Sequence, residues 1–400
     1  MSGAPVGVLG AGTMGAGIAQ VAALGGRETR LYDAFEGAAE RGAERLAEAL
    51  AKGVARGRWS EAEAGAARER VRAVSGLEEL AGCGILIEAA PEDLALKREL
   101  FSAVAAVCGP EAVLASNTSS LRVADIAAGV PHPERVVGMH FFNPPALMQL
   151  VEVVAAPESA EWALAATTAL GEEMGRTPIR AKDSPGFVAN RLARPFSLES
   201  LRILADGVAT AARIDEIVRG AGFRMGPFEL LDLIGIDVNL TIARSFFAQG
   251  GEPERWRPTP VQEAMVAAGR FGRKSGAGFY DYENGEKTPA DLSQTLASAV
   301  PSPSPAPQRN SGREEAGEEA AVLDRLFAQI ANEAAFALEE EVASRADMDT
   351  AMRLGFNWPR GPIEIAAELG AERAVEILAA LEAEKGAAYA AAPLLKQGSL

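Results

Sequence analysis

The sequence predicts an α/β domain with a doubly wound sheet, followed by all-α helical segments. Three observations predict it. Short β-rich runs alternate with longer segments of helical period from Pro5 to about Lys182. From the Asp183-Ser184-Pro185 triplet to about Phe271 the pattern becomes almost wholly helical. The chain has 400 residues, which gives room for two or three domains that each bury a core.

In order, residues 6–9, 28–32, 85–88, 113–116 and 135–141 are the strand candidates, and 15–24, 36–54 and 94–107 are the helices between them. Their alternation calls for parallel strands with helical crossovers. In the triplet at 183–185, Asp or Ser can cap a helix and Pro can occupy its first turn. Residues 287–318 are polar and rich in Pro and Ser, with PSPSPAP at 301–307, and are expected to form a linker. Beyond it lies an internal echo. Residues 199–235 and 333–370 share a helix, a V-A-[TS] turn, a helix start with I/M-D, and Gly-Pro-[FI]-Glu opening another helix. The domain boundaries expected are therefore 1–182, 183–286, the linker 287–318, and a second partial copy of the helical domain at 319–400.

Hydrophobic residues make up 48% and charged residues 24%, the balance of a globular chain. The net charge of −16 argues against nucleic acid and anionic membranes as partners, so an anionic ligand must find a local basic patch. The two cysteines, Cys83 and Cys108, are too few for a disulfide framework and read as reduced thiols. No run of 18 apolar residues occurs, and the first strand leaves no room for a signal peptide, so a cytoplasmic location is expected. No metal site is expected.

Gly10-Ala11-Gly12-Thr13-Met14-Gly15 follows the first strand and opens a helix, the context a dinucleotide-binding loop requires. Gly10 permits the tight turn, Gly12 lets the backbone approach a pyrophosphate, and Gly15 lets helix and strand pack closely; Met14 lies within the same loop. Asp33 ends the second strand about twenty residues on, where a carboxylate accepts hydrogen bonds from ribose hydroxyls and repels a 2′-phosphate. A Rossmann-type domain that binds NAD is the expectation.

Only two histidines exist, so the search for a general base is short. His132 lies between two prolines in a turn. His140 ends a strand at the C-terminal edge, where open α/β sheets bind their ligands. Glu152 sits inside the apolar run 150–154, where a carboxylate is costly unless paired. Two readings stay open for it: it pairs with His140 across the turn at Asn143-Pro144-Pro145, or it faces outward from an edge strand. Ser119 and Ser120 lie beyond another strand end, and either can cap the helix expected at 121–128. Asn190 lies on the first helix of the second domain.

These residues resemble the 3-hydroxyacyl-CoA dehydrogenases of fatty-acid and phenylacetate degradation. The similarity rests on GAGTMGAGIAQ (10–20), IEAAPEDLALKREL (87–100), ASNTSSL (115–121), GMHFFNPPALMQLVEVV (138–154), KDSPGFVANRL (182–192), GPFELLDLIG (226–235) and FGRKSGAGFYDY (271–282). The resemblance implies NAD-dependent oxidation of an (S)-3-hydroxyacyl-CoA thioester, with His140 as base and Glu152 as its partner. It implies that Ser119 and Asn190 hydrogen-bond the substrate and that Asn143 positions nicotinamide and substrate. Glu92, Lys97 and Lys274 would be further cofactor contacts, and Lys52, Arg56 and Arg58 fall where the family's basic helix meets the coenzyme A phosphates. It also implies a helical domain that forms a dimer surface, so the chain is expected to be a homodimer or, with its second copy, an intramolecular pseudo-dimer. Aligning Glu199 with Glu333 places Asp324 opposite Asn190, and the copy is expected to be catalytically silent. Two other functions compete: an L-gulonate-type hydroxy-acid dehydrogenase, and an NAD-binding structural protein without turnover.

Overall fold

Val6–Leu9 forms β1, a fully buried strand that feeds the glycine-rich turn and then α1 (Thr13–Leu24). The structure, a computed structural model, describes residues 3–297 and 312–400. The chain continues through β2 (Thr29–Tyr32), α2 (Ala38–Ala55), α3 (Glu61–Glu69), β3 (Val71–Val74), β4 (Ile85–Glu88), α4 (Leu94–Val107), β5 (Val113–Ser116) and α5 (Val123–Ala127). Next come β6 (Val136–Phe141), β7 (Leu150–Ala155), α6 (Glu161–Glu173) and β8 (Thr177–Lys182). The sheet order is β3-β2-β1-β4-β5-β6-β7-β8. All pairings are parallel except β6 with β7. Chain order reverses between β1 and β4, the switch point at which open sheets of this kind hold their ligands. The central strands are apolar on both faces, as a sheet covered by helices on two sides requires.

The chain divides into two compact units, 1–188 with 342–355, and 189–341 with 356–400. The second unit opens with α7 (Ala189–Leu192) and α8 (Arg194–Ala205), then α9 (Ala211–Gly220), α10 (Pro227–Ile234), α11 (Ile236–Gln249) and α12 (Pro260–Ala267). A hairpin of β9 (Tyr280–Glu283) and β10 (Glu286–Pro289) follows, then α13 (Ser293–Leu296). The later helices are α14 (Gly312–Glu339), α15 (Arg345–Phe356), α16 (Pro362–Leu369), α17 (Ala371–Lys385) and α18 (Pro393–Lys396). Most of α15 belongs to the first unit.

Several expectations shift. Pro185 does not start a helix: α7 begins at Ala189, after Phe187 adopts a positive φ of 51°. Asp183 caps another helix instead, accepting the Val123 and Ala124 N–H groups of α5. Both ends of the stretch expected as a linker are structured. At its start, residues 287–289 belong to β10, which pairs with β9 across the positive-φ turn at Asn284 and Gly285. At its end, α14 begins at Gly312, while the PSPSPAP centre lies outside the described residues.

Within the second unit, α7 and α8 pack on α14 through ion pairs that occur twice. Arg191 donates to Glu333 at 2.7 Å and to Glu340 at 2.6 Å; Arg325 binds Glu199 and, at 2.6 Å, Asp206. Trp256 Nε1 donates to Glu333 at 2.9 Å and the Tyr389 hydroxyl to Glu199 at 3.1 Å. Arg191 lies over the Trp256 ring and Arg325 over the Tyr389 ring. Arg191 and Arg325, Glu199 and Glu333, and Asp206 and Glu340 stand at one constant offset along the chain, the offset of the internal echo. Residue i of one copy thus meets residue j of the other and vice versa, the signature of an isologous two-fold interface. Burial penalises both guanidinium charges, but the facing carboxylates outweigh it and hold both arginines charged.

Candidate active site

The loops after β1, β4, β5 and β6 emerge at one edge of the sheet, because these four strands are parallel. The glycine loop, Asn117 and His140 therefore share that edge. Gly10 has φ +96°, and a Cβ there would lie 2.7 Å from the Ala89 carbonyl oxygen. At Gly15 an added Cβ would lie 1.7 Å from the Gly10 carbonyl oxygen, so only glycine lets α1 sit this close. Gly12 differs: a Cβ there would meet nothing within 4 Å. It is the N-cap of α1, and no side chain caps that helix end. Free backbone donors at a positive helix terminus beside open space fit a pyrophosphate. Met14 is partly buried against the core. Asp33 accepts the Ala11 N–H at 2.7 Å and the Phe35 N–H at 3.0 Å, which fixes its carboxylate beside the loop.

His140 and Glu152 are direct partners in the antiparallel register of β6 and β7. The imidazole Nδ1 lies 2.6 Å from Glu152 Oε2, and Glu152 Oε1 accepts the Val188 N–H at 3.0 Å. Strand β7 lies between β6 and β8, so the outward-facing reading of Glu152 fails; its side chain is wholly buried. The hydrogen bond to an ionised carboxylate is made when Nδ1 carries the proton. The rings of Phe142 and Phe187 lie 4.7 and 5.8 Å from the imidazole and wall it on its apolar sides. Asn143, joined to Pro144 by a cis peptide bond, is exposed in the β6–β7 connection. Asn117 Oδ1 accepts the Phe141 N–H at 2.8 Å and ties the end of β6 to the loop after β5.

Glu92 organises that loop. One of its oxygens accepts from the Thr118 and Ser120 hydroxyls and from the Ser119 and Ser120 N–H groups. Burial pushes the Glu92 carboxyl up, but the Thr118 hydroxyl, Lys97 and the Ser120 and Ser119 donors hold it below its ordinary value. Lys97 is itself buried, 2.6 Å from Glu88 and 3.2 Å from Glu92. Ser119 is exposed; the helix near it starts only at Val123 and takes its cap from Asp183, so neither Ser119 nor Ser120 caps it.

Lys52, Arg56 and Arg58 line a cavity of about 300 Å³ together with Arg45, Trp59, Pro145 and Leu147. Lys52 also pairs with Glu48 on the surface of α2. In a chain of net charge −16 this is a local basic patch. In the second unit, Asn190 is half-buried in α7, and Lys274 binds the Asp237 carboxylate at 2.6 Å. Asp324, at the position matching Asn190 in the second copy, is paired with Arg373 at 2.8 Å.

The family model "3-hydroxyacyl-CoA dehydrogenase, NAD binding domain" matches residues 5–184, and its C-terminal counterpart matches 186–282 and 322–398. A 3-hydroxyadipyl-CoA dehydrogenase of Escherichia coli K12 is 35% identical over 99% of this chain and 97% of that one. The chain belongs to the 3-hydroxyacyl-CoA dehydrogenase family. A probable 3-hydroxybutyryl-CoA dehydrogenase of Bacillus subtilis is 43% identical over 70% of this chain and 97% of its own length. A crystal structure of 3-hydroxybutyryl-CoA dehydrogenase from Escherichia coli K12 superposes with a TM-score of 0.88 at 34% identity, covering 99% and 98% of the two chains. The matched second stretch, 322–398, gives the internal echo the same family origin as the first helical copy.

Membership makes the cofactor NAD, which suits the open Gly12 cradle. No helix among the described residues is long and apolar enough to cross a membrane. Sequence reasoning overlooked several side chains that shape this dehydrogenase site. Glu88 is one: fully buried at the end of β4, it binds Lys97 and the Ser116 hydroxyl. A carboxylate closing an apolar strand, followed by a lysine on the next helix, was the available signal. Phe142, Phe187 and Arg45 had no such mark.

Proposed function

We propose that the chain oxidises (S)-3-hydroxyacyl-CoA thioesters to 3-oxoacyl-CoA with NAD, with His140 as general base. The observation that carries this reading is the 2.6 Å contact between His140 Nδ1 and the buried Glu152 carboxylate at the ligand-binding edge of the sheet. With Nδ1–H donating to Glu152, Nε2 holds the lone pair and takes the proton of the 3-hydroxyl. Glu152 then stabilises the imidazolium, which forms in a low-dielectric wall of Phe142 and Phe187. Bound NAD supplies the hydride acceptor. Glu92 holds the loop that presents the Ser119 hydroxyl for a hydrogen bond to the substrate's 3-oxygen. For Asn190, Asn143 and Lys274 we carry forward what the resemblance implies, a substrate contact for the first and cofactor contacts for the others. The basic cavity at Lys52, Arg56 and Arg58 supports a coenzyme A thioester over a free hydroxy acid, because only the thioester carries phosphates for it to bind.

The test is NADH oxidation with a panel of 3-oxoacyl-CoA substrates, including a dicarboxylic one. His140→Gln should lower kcat by about three orders of magnitude or more while NADH affinity stays within roughly twofold. Turnover near the wild-type rate in that variant overturns the base assignment.

We further propose that the two helical copies form an intramolecular pseudo-dimer, supported by the reciprocal arginine–glutamate pairs. A chain ending after Glu283 lacks Glu333 and Glu340, which hold the buried Arg191. It should self-associate or precipitate; a soluble monomer by sedimentation would count against the pseudo-dimer.

A further inference from the structure

The second helical copy has no nucleotide-binding domain of its own, yet residues 342–355 belong to the first unit. The Val342 carbonyl accepts the Lys182 N–H at the end of β8, at 2.8 Å, and so anchors this segment to the sheet. Met348, Ala351 and Met352 are fully buried, and Gly355 follows at helical spacing on the same face of α15. At Gly355 the helix meets the wall of the active site. An added Cβ there would lie 2.9 Å from Leu150 Cδ2 and 3.4 Å from Phe142 Cε1. Leu150 opens β7, the strand that carries Glu152, and Phe142 is the ring 4.7 Å from the His140 imidazole.

We propose that Gly355 is a positioning residue for the catalytic base: α15 of the second copy, pressing without a side chain on Phe142 and Leu150, sets the ring against which His140 is held. The copy therefore acts on catalysis through packing although it contributes no group to the chemistry. The inference rests on the reading of His140 as base.

The physical argument is one of volume. Phe142 has the imidazole on one side and the α15 backbone on another, and close-packed interiors transmit displacement instead of absorbing it. A methyl at 355 leaves the Phe142 contact ordinary and asks Leu150 to give by a few tenths of an ångström. A leucine adds three further carbons, which compete for the space of the Phe142 ring and Leu150. The ring must then move towards His140 and turn the imidazole off the 2.6 Å line to Glu152. A misplacement of about 1 Å in a catalytic group costs on the order of a hundredfold in rate.

The experiment measures kcat, KM and thermal midpoint of the full-length chain with acetoacetyl-CoA and NADH. Gly355→Leu should lower kcat by about tenfold or more with the KM for NADH within roughly twofold, whereas Gly355→Ala, whose methyl leaves the ring in place, should stay within about twofold. In a Phe142→Ala background, Gly355→Leu should add no further loss, because the ring that transmits the push is gone. Gly355→Leu that folds and keeps kcat within about twofold overturns the proposal, and so does an equal loss with and without Phe142. Should Gly355→Leu fail to fold, Gly355→Val, which adds two carbons beyond the methyl, decides the question in the same two backgrounds by the same comparison. His140→Gln, assayed alongside, separates the two claims. If it stays active, the base assignment and this inference both fall; if it is inactive while Gly355→Leu is normal, only this inference falls.

Discussion

Replacing Glu152 with glutamine tests how much of the chemistry depends on the buried carboxylate. The two oxygens have separate duties: Oε2 accepts from His140 Nδ1 at 2.6 Å and Oε1 from the Val188 N–H at 3.0 Å. Glutamine keeps the shape but offers one acceptor and one NH₂, so it must turn a donor towards either Nδ1–H or Val188 N–H. It also removes the charge that balances the imidazolium. Two unit charges about 4 Å apart at an effective dielectric of about 20 attract by about 4 kcal/mol. A hydrogen bond to a charged group contributes about 1.5–3 kcal/mol net. A loss of about 2–4 kcal/mol in the transition state corresponds to roughly a 30- to 1000-fold fall in kcat. Steady-state NADH oxidation with acetoacetyl-CoA reads this directly, with circular dichroism to show that the variant is folded. A folded Glu152→Gln enzyme with kcat within about threefold of the parent would refute the reasoning, because Nδ1 would then need no charged partner.

Two further substitutions test the scaffold and the cofactor cradle. Arg325→Met leaves Glu199 buried with only the Tyr389 hydroxyl and the more distant Arg202, and should cost about 3–5 kcal/mol in urea unfolding of the helical unit; a change below about 1 kcal/mol would remove the energetic argument for the reciprocal pairs. Gly12→Val places its side chain in open space at an ordinary φ of −67°, so the thermal midpoint should hold while NADH affinity falls by about tenfold or more. Unchanged NADH binding would mean that the pyrophosphate does not pass over Gly12.

What could be read in advance follows the range of the interactions. The glycine loop and the strand carrying His140 are local patterns, and 85–88, 113–116 and 94–107 coincide with β4, β5 and α4. Strand β3 was not picked out because Val-Arg-Ala-Val at the sheet edge is half-exposed and carries no apolar run, and β8 because Thr-Pro-Ile-Arg-Ala-Lys buries only two of six residues. Glu152 stayed undecided for a different reason. Its partner depends on β7 turning back antiparallel beside β6 and then being covered by β8, and neither strand order nor register is a property of residues 150–154 alone. Gly355 beside Phe142 is further still from any local signal, since Phe142 follows β6 of the sheet and Gly355 lies on a helix of the second helical copy.

The helical echo carries a distinction that spacing alone did not reveal. Positions that face the other copy keep their chemistry at the constant offset: arginine matches arginine at 191 and 325, glutamate matches glutamate at 199 and 333, and a carboxylate stands at both 206 and 340. An isologous contact demands this, because a change on one side unpairs a buried charge on the other. The position next to the conserved-type arginine behaves differently. Asn190 in the first copy is matched by Asp324 in the second, and Asp324 is tied to Arg373, a residue of its own copy. The second copy thus retains what the contact between copies needs and has replaced the side chain that the resemblance assigns to substrate. That is the pattern expected if its contribution to catalysis is made by packing.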